Sequence, residues 1–121
     1  MTAEQPGPRI APEDEVVELC RDLIRIPTVN TGGDDGQGER AAAEYVMASL
    51  HEVGLDPVLV ESRPGRASVM VRIEGADPSL PGLVVHGHTD VVPANAADWQ
   101  VDPFGAEERD RFTQPDGTIM H

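Results

Sequence analysis

The feature that most limits how this chain can fold is an apolar run that ends in two histidines and an aspartate. The run Leu83-Val84-Val85 is followed closely by His86, His88 and Asp90. Consecutive apolar residues of high β-propensity predict a central strand that is covered on both faces. Side chains that bind metals or transfer protons therefore follow the most strand-like segment of the sequence. We predict a buried strand that ends in a metal-ligand turn.

The spacing of this turn leaves its chemistry open. In an extended segment, residues two apart point the same way, so His86, His88 and Asp90 can share a face. A zinc centre takes three or four protein ligands, so the turn alone supplies only part of one. Asp90 can coordinate a metal, or it can accept the ring N–H of a ligating histidine. In a turn without a metal, the histidines would cap the strand and Asp90 would organise the turn.

Two amphipathic helices are predicted before this strand. The first starts at Glu13, has an acidic first turn and stops before Pro27, which disfavours the helical conformation of the preceding residue. The second runs from Glu39 to Val53, and Gly54 is placed to end it in a left-handed conformation. The residues expected to face a core are Val16, Leu19, Cys20, Leu23 and Ile24 on the first helix, and Ala42, Tyr45, Val46, Leu50 and Val53 on the second.

A hairpin is predicted between the second helix and the apolar run. Its strands are residues 57–61 and 67–73, because Pro64 and Gly65 suit the two central positions of a type II turn. The earlier loop, residues 28–38, lacks the lysine of a phosphate-binding loop and the spacing of a calcium loop, so we predict that it is solvated. Two helices followed by three strands indicate a layered α/β domain.

Composition restricts the partners and the compartment. The chain has 121 residues, about the length of one domain, and its formal charge is −13. Because an acidic chain repels nucleic acid and anionic membranes, neither is predicted as a partner. The single cysteine, Cys20, is predicted to be a buried thiol in a reducing compartment. Residues 1–12 contain three prolines and no apolar signal segment, which predicts a flexible arm on a cytoplasmic protein.

The residues after the apolar run resemble a known family. The sequence Gly87-His88-Thr89-Asp90-Val91-Val92-Pro93, with Trp99 and Asp102-Pro103-Phe104 behind it, is similar to the first metal-binding motif of the M20 family of zinc-dependent peptidases and amidohydrolases. The segment from Leu23 to Asn30 resembles the end of that family's N-terminal helix and the loop after it. Glu39 matches the start of the next helix, so the resemblance covers nearly the whole chain.

This resemblance implies a fold, a metal site and a reaction. The fold would be a three-layer α/β/α zinc-exopeptidase-like catalytic domain. His88 would be a metal ligand and Asp90 the catalytic-site carboxylate that orients it, whereas His86 occupies a variable position. Two zinc ions, or cobalt or manganese, would activate a water, and a glutamate would take its proton. The substrates would be N-acyl amino acids or peptides.

The family pattern continues past the residues that this chain contains. After the Asp-Pro-Phe step, the family runs to an aspartate that bridges the metals and to the general base, whereas this sequence stops after residues 116–121. We therefore expect residues 13–121 to be the N-terminal portion of one catalytic domain, without a lid or dimerisation domain. Such a chain would hold neither metal stably and would be inactive. The alternative is a non-catalytic truncated or degenerate product with only a structural or binding role.

Two other classes of metallohydrolase also begin with closely spaced histidines. The metallo-β-lactamase signature has a further histidine directly after the aspartate, where this chain has Val91. The amidohydrolase barrel places its histidine pair after its first strand, not after two helices and a hairpin. Both patterns fit the sequence less well than the M20 motif.

Overall fold

The structure is a computed structural model that describes residues 11–33, 36–109, 112–113 and 116–120. These residues contain both helices and short antiparallel strand pairs, so the protein is mixed α and β. One compact unit consists of residues 26–94, and the other consists of the described residues before and after that range. The elements are α1 (Pro12–Arg25), α2 (Arg40–Glu52), β1 (Val58–Arg63), β2 (Arg66–Met70), a short 3-10 helix (Ala96–Asp98), β3 (Phe112–Thr113) and β4 (Ile119–Met120).

Both predicted helices and the predicted hairpin are confirmed, with shifts of one to three residues at their ends. Strands β1 and β2 pair antiparallel, and Arg63 lies opposite Arg66 beside the turn. Gly65 has a φ of 79°, the left-handed conformation that the second central position of a type II turn requires. Gly54 has a φ of 80° just after α2, as expected for a helix that ends in a left-handed residue.

The N-terminus of α2 is held against the hairpin turn. The carbonyl oxygen of Gly65 accepts hydrogen bonds from the backbone N–H groups of Glu39 (2.8 Å) and Arg40 (3.1 Å). Because the first N–H groups of a helix have no partner within the helix, the turn acts as its cap. Gly38 permits this close approach: it has a φ of 71°, and a β-carbon there would lie 2.2 Å from the Gly65 oxygen. The apolar residues buried in this unit include Ala42, Ala43 and Ala67.

The prediction of a buried central strand at residues 83–85 is wrong. The structure has no strand there, and Leu83, Val84 and Val85 are 88%, 83% and 86% exposed. A strand needs a neighbour for its backbone hydrogen bonds, and no described segment pairs with these residues. The apolar run marks a segment that can join a sheet, but the described part of its unit offers only the β1–β2 pair. The three-layer domain therefore stays a prediction.

The predicted burial of the helix faces is wrong in part. No residue of α1 is buried, and Val16 is 59% exposed. Cys20, predicted to be a buried thiol, is exposed. On α2, Ala42 is buried but Val53 is 67% exposed. Amphipathic spacing determines which residues share a face, whereas burial depends on how much the neighbouring segments cover, and on the two helices the described residues bury only Ala42 and Ala43.

The loop between the two helices is solvated in its middle and not at its ends. Residues 31–33 are exposed, whereas Thr28 and Gly38 are buried. Residues 34 and 35 lie outside the described residues, and so does the predicted arm over residues 1–12, apart from its last two positions. Among the described residues, neither helix has the length and apolar character that spanning a bilayer would require.

Candidate functional site

The structure brings His88 and Asp90 together. His88 Nδ1 lies 3.0 Å from Asp90 Oδ1 and 2.9 Å from the Asp90 carbonyl oxygen. Both oxygens can only accept hydrogen bonds, so Nδ1 carries the proton and Nε2 carries the lone pair of the neutral ring. The His88 side chain is 85% exposed, so it is open to a ligand from solvent. Metal-ligating histidines adopt this arrangement, with one ring nitrogen on a carboxylate and the other on the metal.

Asp90 is held from its other side by Asn30. The Asn30 Nδ2 group donates to Asp90 Oδ2 (2.9 Å), so each carboxylate oxygen has its own donor. The hydrogen bond from Asn30 is the main cause that lowers the pKa of Asp90; partial burial opposes it, and His88 adds to the lowering. Because the folded-state pKa is lowered, the carboxylate stabilises the fold above its unfolded pKa. That contribution is lost as the pH falls through the folded value.

Replacing Asn30 by alanine should raise the pKa of Asp90, because the hydrogen bond that lowers it most is removed. We expect the carboxyl-carbon resonance of Asp90 to titrate at higher pH in the Asn30→Ala protein, as followed by NMR. Asp77 is the internal reference, since its pKa is lowered by hydrogen bonds from Ser79 and should not move. A pKa of Asp90 that is the same in both proteins would rule out this role of Asn30.

The turn that carries this pair is tied to the segment after α1. Val29 and Val91 form an isolated parallel bridge. Around it, the Val91 N–H donates to the Thr28 carbonyl oxygen (3.1 Å), and the Asn30 N–H donates to the Val91 carbonyl oxygen (2.8 Å). The Thr28 hydroxyl, on a residue only 3% exposed, also donates to the Thr89 carbonyl oxygen (2.7 Å). These bonds fix the backbone on which the pair lies.

Thr28 and Asn30 are site residues that sequence reasoning missed. They precede the groups that they contact by 61 and 60 residues, so no local spacing connects them. Both lie in the loop of residues 28–38 that the sequence predicts to be solvated, and that prediction is wrong for Thr28. The signal that could have found them is the family-like segment from Leu23 to Asn30, which places them just after the first helix.

His86 does not join this arrangement. It is exposed, and none of the described hydrogen bonds links it to His88 or Asp90. Within the described ranges, no group of three or more histidine, cysteine, aspartate or glutamate side chains lies close enough to hold one metal ion. The described residues therefore show the pairing of His88 with Asp90 but no complete set of metal ligands, and the metal site stays a prediction.

A cavity of about 390 Å³ opens beside the pair. Its wall includes Glu39, the residue just before α2, Arg66 from β2, and His88 and Asp90 from the turn. Arg66 Nη1 lies 2.6 Å from Glu39 Oε1, so an ion pair lies in the same wall as the histidine. Binding sites for small molecules have volumes of roughly 300–1,000 Å³. The cavity is large enough for a small ligand.

Curated proteins align with most of the length of this chain, although no protein-family model matches it. The N-fatty-acyl-amino acid synthase/hydrolase PM20D1 of Xenopus tropicalis is 31% identical over 107 residues, which make up 87% of this chain and 21% of that protein. Aminoacylase-1 of Mus musculus is 35% identical over 97 residues, 78% of this chain and 23% of the mouse protein. Over the matched residues, the chain is homologous to PM20D1 and aminoacylase-1, which are M20 family peptidases. The M20 resemblance of the sequence is confirmed.

The M20 relatives are much longer than this chain. Aminoacylase-1 of Sus scrofa is 33% identical over 107 residues, and these residues are 88% of this chain but 24% of the pig protein. The chain thus spans about a fifth to a quarter of the length of the curated relatives it matches. The assignment of His88 as a metal ligand and Asp90 as its orienting carboxylate depends on the geometry of the turn and stays a prediction.

Proposed function

We propose that the chain is part of a metal-dependent hydrolase that cleaves the amide bonds of N-acyl amino acids or peptides. In this proposal His88 binds the metal and Asp90 orients His88. The observation that carries it is the contact of His88 Nδ1 with two acceptor oxygens of Asp90. In the neutral ring this contact places the proton on Nδ1 and leaves Nε2 as an electron-pair donor. The names of the relatives, an aminoacylase and an N-acyl amino acid hydrolase, support amide hydrolysis as the reaction class.

The donor chemistry of the turn fits zinc, which imidazole binds well, and cobalt or manganese are further candidates. When bound, such an ion lowers the pKa of its water and polarises the scissile carbonyl. His88 would hold the ion through Nε2, and Asp90 would keep the other ring nitrogen protonated. We propose that the remaining ligands and the general base lie in polypeptide outside the part that the relatives share with this chain.

The chain by itself should bind metal weakly and should be inactive. A catalytic zinc site takes three protein ligands and keeps one position open, whereas His88 supplies one ligand.

We further propose a small-molecule substrate and a cytoplasmic location. The formal charge of −13 argues against nucleic acid and anionic membranes as partners.

Zinc should bind the chain through His88 Nε2. We expect zinc chloride, titrated into the isotope-labelled chain, to shift the Nε2 resonance of His88 in the NMR spectrum. His51 is a matched reference, since it is also exposed and its Nδ1 also contacts a carbonyl oxygen, that of Leu55 (3.2 Å). His88→Ala should abolish the binding. Asp90→Asn should weaken it by about 10-fold, the usual effect of losing an orienting carboxylate.

Other results of this titration would contradict the proposal. Equal zinc shifts at His88 and His51 would mean that the Asp90 carboxylate confers no advantage. Binding that survives His88→Ala and is lost in His86→Ala would transfer the ligand role to His86. A separate activity assay tests the expectation that the chain is inactive. Release of methionine from N-acetyl-L-methionine by the zinc-loaded chain would show that it is active by itself.

A further inference from the structure

The cavity beside His88 and Asp90 has a cation in its wall that the metal proposal does not use. Arg66 is the first residue of β2, and its side chain is 34% exposed. Its described ion pair joins Nη1 to Glu39 Oε1 at 2.6 Å. A guanidinium presents five N–H donors in a planar fork, so this single contact engages one of its three nitrogens. Among the described residues, no second carboxylate pairs with Arg66.

Glu39 positions this guanidinium. Its side chain is 13% exposed, the lowest value for a carboxylate in the described ion pairs. Its backbone N–H is bound to the Gly65 carbonyl oxygen (2.8 Å), so the residue is anchored at both backbone and side chain. A carboxylate held in this way restricts the conformations of Arg66, and a restricted arginine loses less entropy when it binds a ligand.

The remaining donors of Arg66 suit a carboxylate. Arginine and carboxylate groups form pairs of parallel N–H···O bonds, and these are stronger and more directional than single neutral hydrogen bonds. An N-acyl amino acid carries a free carboxylate close to its amide bond. A cavity with an arginine and the proposed metal-ligand histidine in its wall can therefore contact both the carboxylate and the amide bond of such a molecule.

We propose that Arg66 is the residue that binds the carboxylate of an N-acyl amino acid in this cavity, with the amide bond of the ligand directed toward His88. This inference rests on the proposed function, which supplies the substrate class. It adds a residue that determines specificity: Arg66 selects ligands with a free carboxylate over ligands in which that group is neutral. Glu39 limits the affinity, because its negative charge lies next to the binding group.

The test is an NMR titration of the whole 121-residue chain in the presence of a chelator. The probes are N-acetyl-L-methionine and N-acetyl-L-methioninamide, which differ in the charge of one group. We expect the acid to bind more tightly and to shift the Arg66 Nε–H and the backbone amide of His88. Arg66→Gln should weaken binding of the acid by about 10-fold, as expected for hydrogen bonds to a charged group. Glu39→Gln should strengthen it by about 3-fold, because the glutamine amide oxygen can still accept from Arg66 and position it, while the competing negative charge is removed.

Two further variants separate charge, geometry and folding. Arg72→Gln is the matched control, since Arg72 is 84% exposed, pairs with Glu74 and is absent from the described cavity wall. It should bind the acid as the unchanged chain does. Arg66→Lys keeps the charge and loses the planar fork, so its affinity should be intermediate. Circular dichroism of each variant identifies any loss of the fold, and the Glu39→Gln result does not depend on removing Arg66.

Each outcome of these titrations either supports or overturns the proposed role of Arg66. Equal affinity for the acid and the amide, or equal losses in Arg66→Gln and Arg72→Gln, would overturn the role of Arg66. Tighter binding of the acid in Glu39→Gln would support it, because a purely structural ion pair predicts no gain. The zinc titration of His88 is independent: zinc binding without discrimination between acid and amide removes only this inference, and discrimination without zinc binding removes only the metal proposal.

Discussion

Replacing Gly38 by alanine should lower the free energy of unfolding of the unit of residues 26–94 by about 4 kcal/mol. A left-handed conformation costs an alanine about 1 kcal/mol, and losing the two hydrogen bonds to Gly65 costs about 1 kcal/mol each. The remainder comes from packing, because a β-carbon 2.2 Å from the Gly65 oxygen and 2.6 Å from its carbonyl carbon forces the hairpin away from α2. Urea denaturation followed by circular dichroism measures the change.

Gly54→Ala is the matched control. Gly54 has a φ of 80°, close to the 71° of Gly38, but a β-carbon there would have no atom within 4 Å. Both substitutions reduce the freedom of the unfolded chain equally, so the difference between them isolates the contact with the turn. We expect Gly54→Ala to cost about 1 kcal/mol. If the two variants were equally stable, α2 would not depend on the hairpin turn for its cap.

Hydrogen exchange provides a second measurement of the same effect. In the unchanged chain, the amides of Glu39 and Arg40 donate to the Gly65 carbonyl and should therefore be protected from exchange. In Gly38→Ala these two amides should exchange faster than the β1–β2 ladder, because the hairpin keeps its own pairing when it moves off the helix. An osmolyte such as trimethylamine N-oxide can restore the fold for this measurement if the variant is unfolded in water.

The helices and the hairpin could be predicted because local chemistry determines them. Pro27 ends the first helix pattern, Gly54 ends the second, and Pro64 with Gly65 determines the turn between the strands. Each of these signals acts within a few residues of itself. The structure confirms them with small shifts at the ends.

Burial could not be predicted in the same way, because it depends on distant partners. The run Leu83 to Val85 has the composition of a buried strand, yet strand formation needs a neighbour, and the described residues provide none. The apolar face of α1 shows the same limit. Its spacing is correct for a helix, but no residue on it is buried.

In the candidate site, too, the contact between neighbouring residues could be predicted and the contacts between distant residues could not. The pairing of His88 with Asp90 could be predicted, since a spacing of two residues puts a ring nitrogen within reach of a carboxylate. The second contact of Asp90, with Asn30, crosses 60 residues and has no signature in the local sequence. Arg66 and Glu39 reach the same cavity from the hairpin and from α2, and only the docking of those elements brings them there.

Thr28 is expected to hold the turn of His88 and Asp90 in place, and Thr28→Val should lower the free energy of unfolding by about 2 kcal/mol. Valine has nearly the same shape as threonine, so packing at this residue, which is 3% exposed, is kept. What is lost is the hydroxyl donor 2.7 Å from the Thr89 carbonyl oxygen. Because this hydrogen bond is one of those that tie residues 28–30 to residues 89–91, the amide of Val91 should also exchange faster with solvent when it is lost.

Thr28→Ser distinguishes this hydrogen bond from packing. Serine keeps the hydroxyl and loses one methyl group, which costs about 0.8 kcal/mol. If the bond to Thr89 dominates, the valine variant is less stable than the serine variant; if packing dominates, the order is reversed, because only serine leaves a void. The order of the two urea midpoints therefore decides the role of Thr28. The variant with the lower urea midpoint should also have the lower zinc affinity at His88, because the hydrogen bond of Thr28 holds the same turn that carries the Asp90 carboxylate.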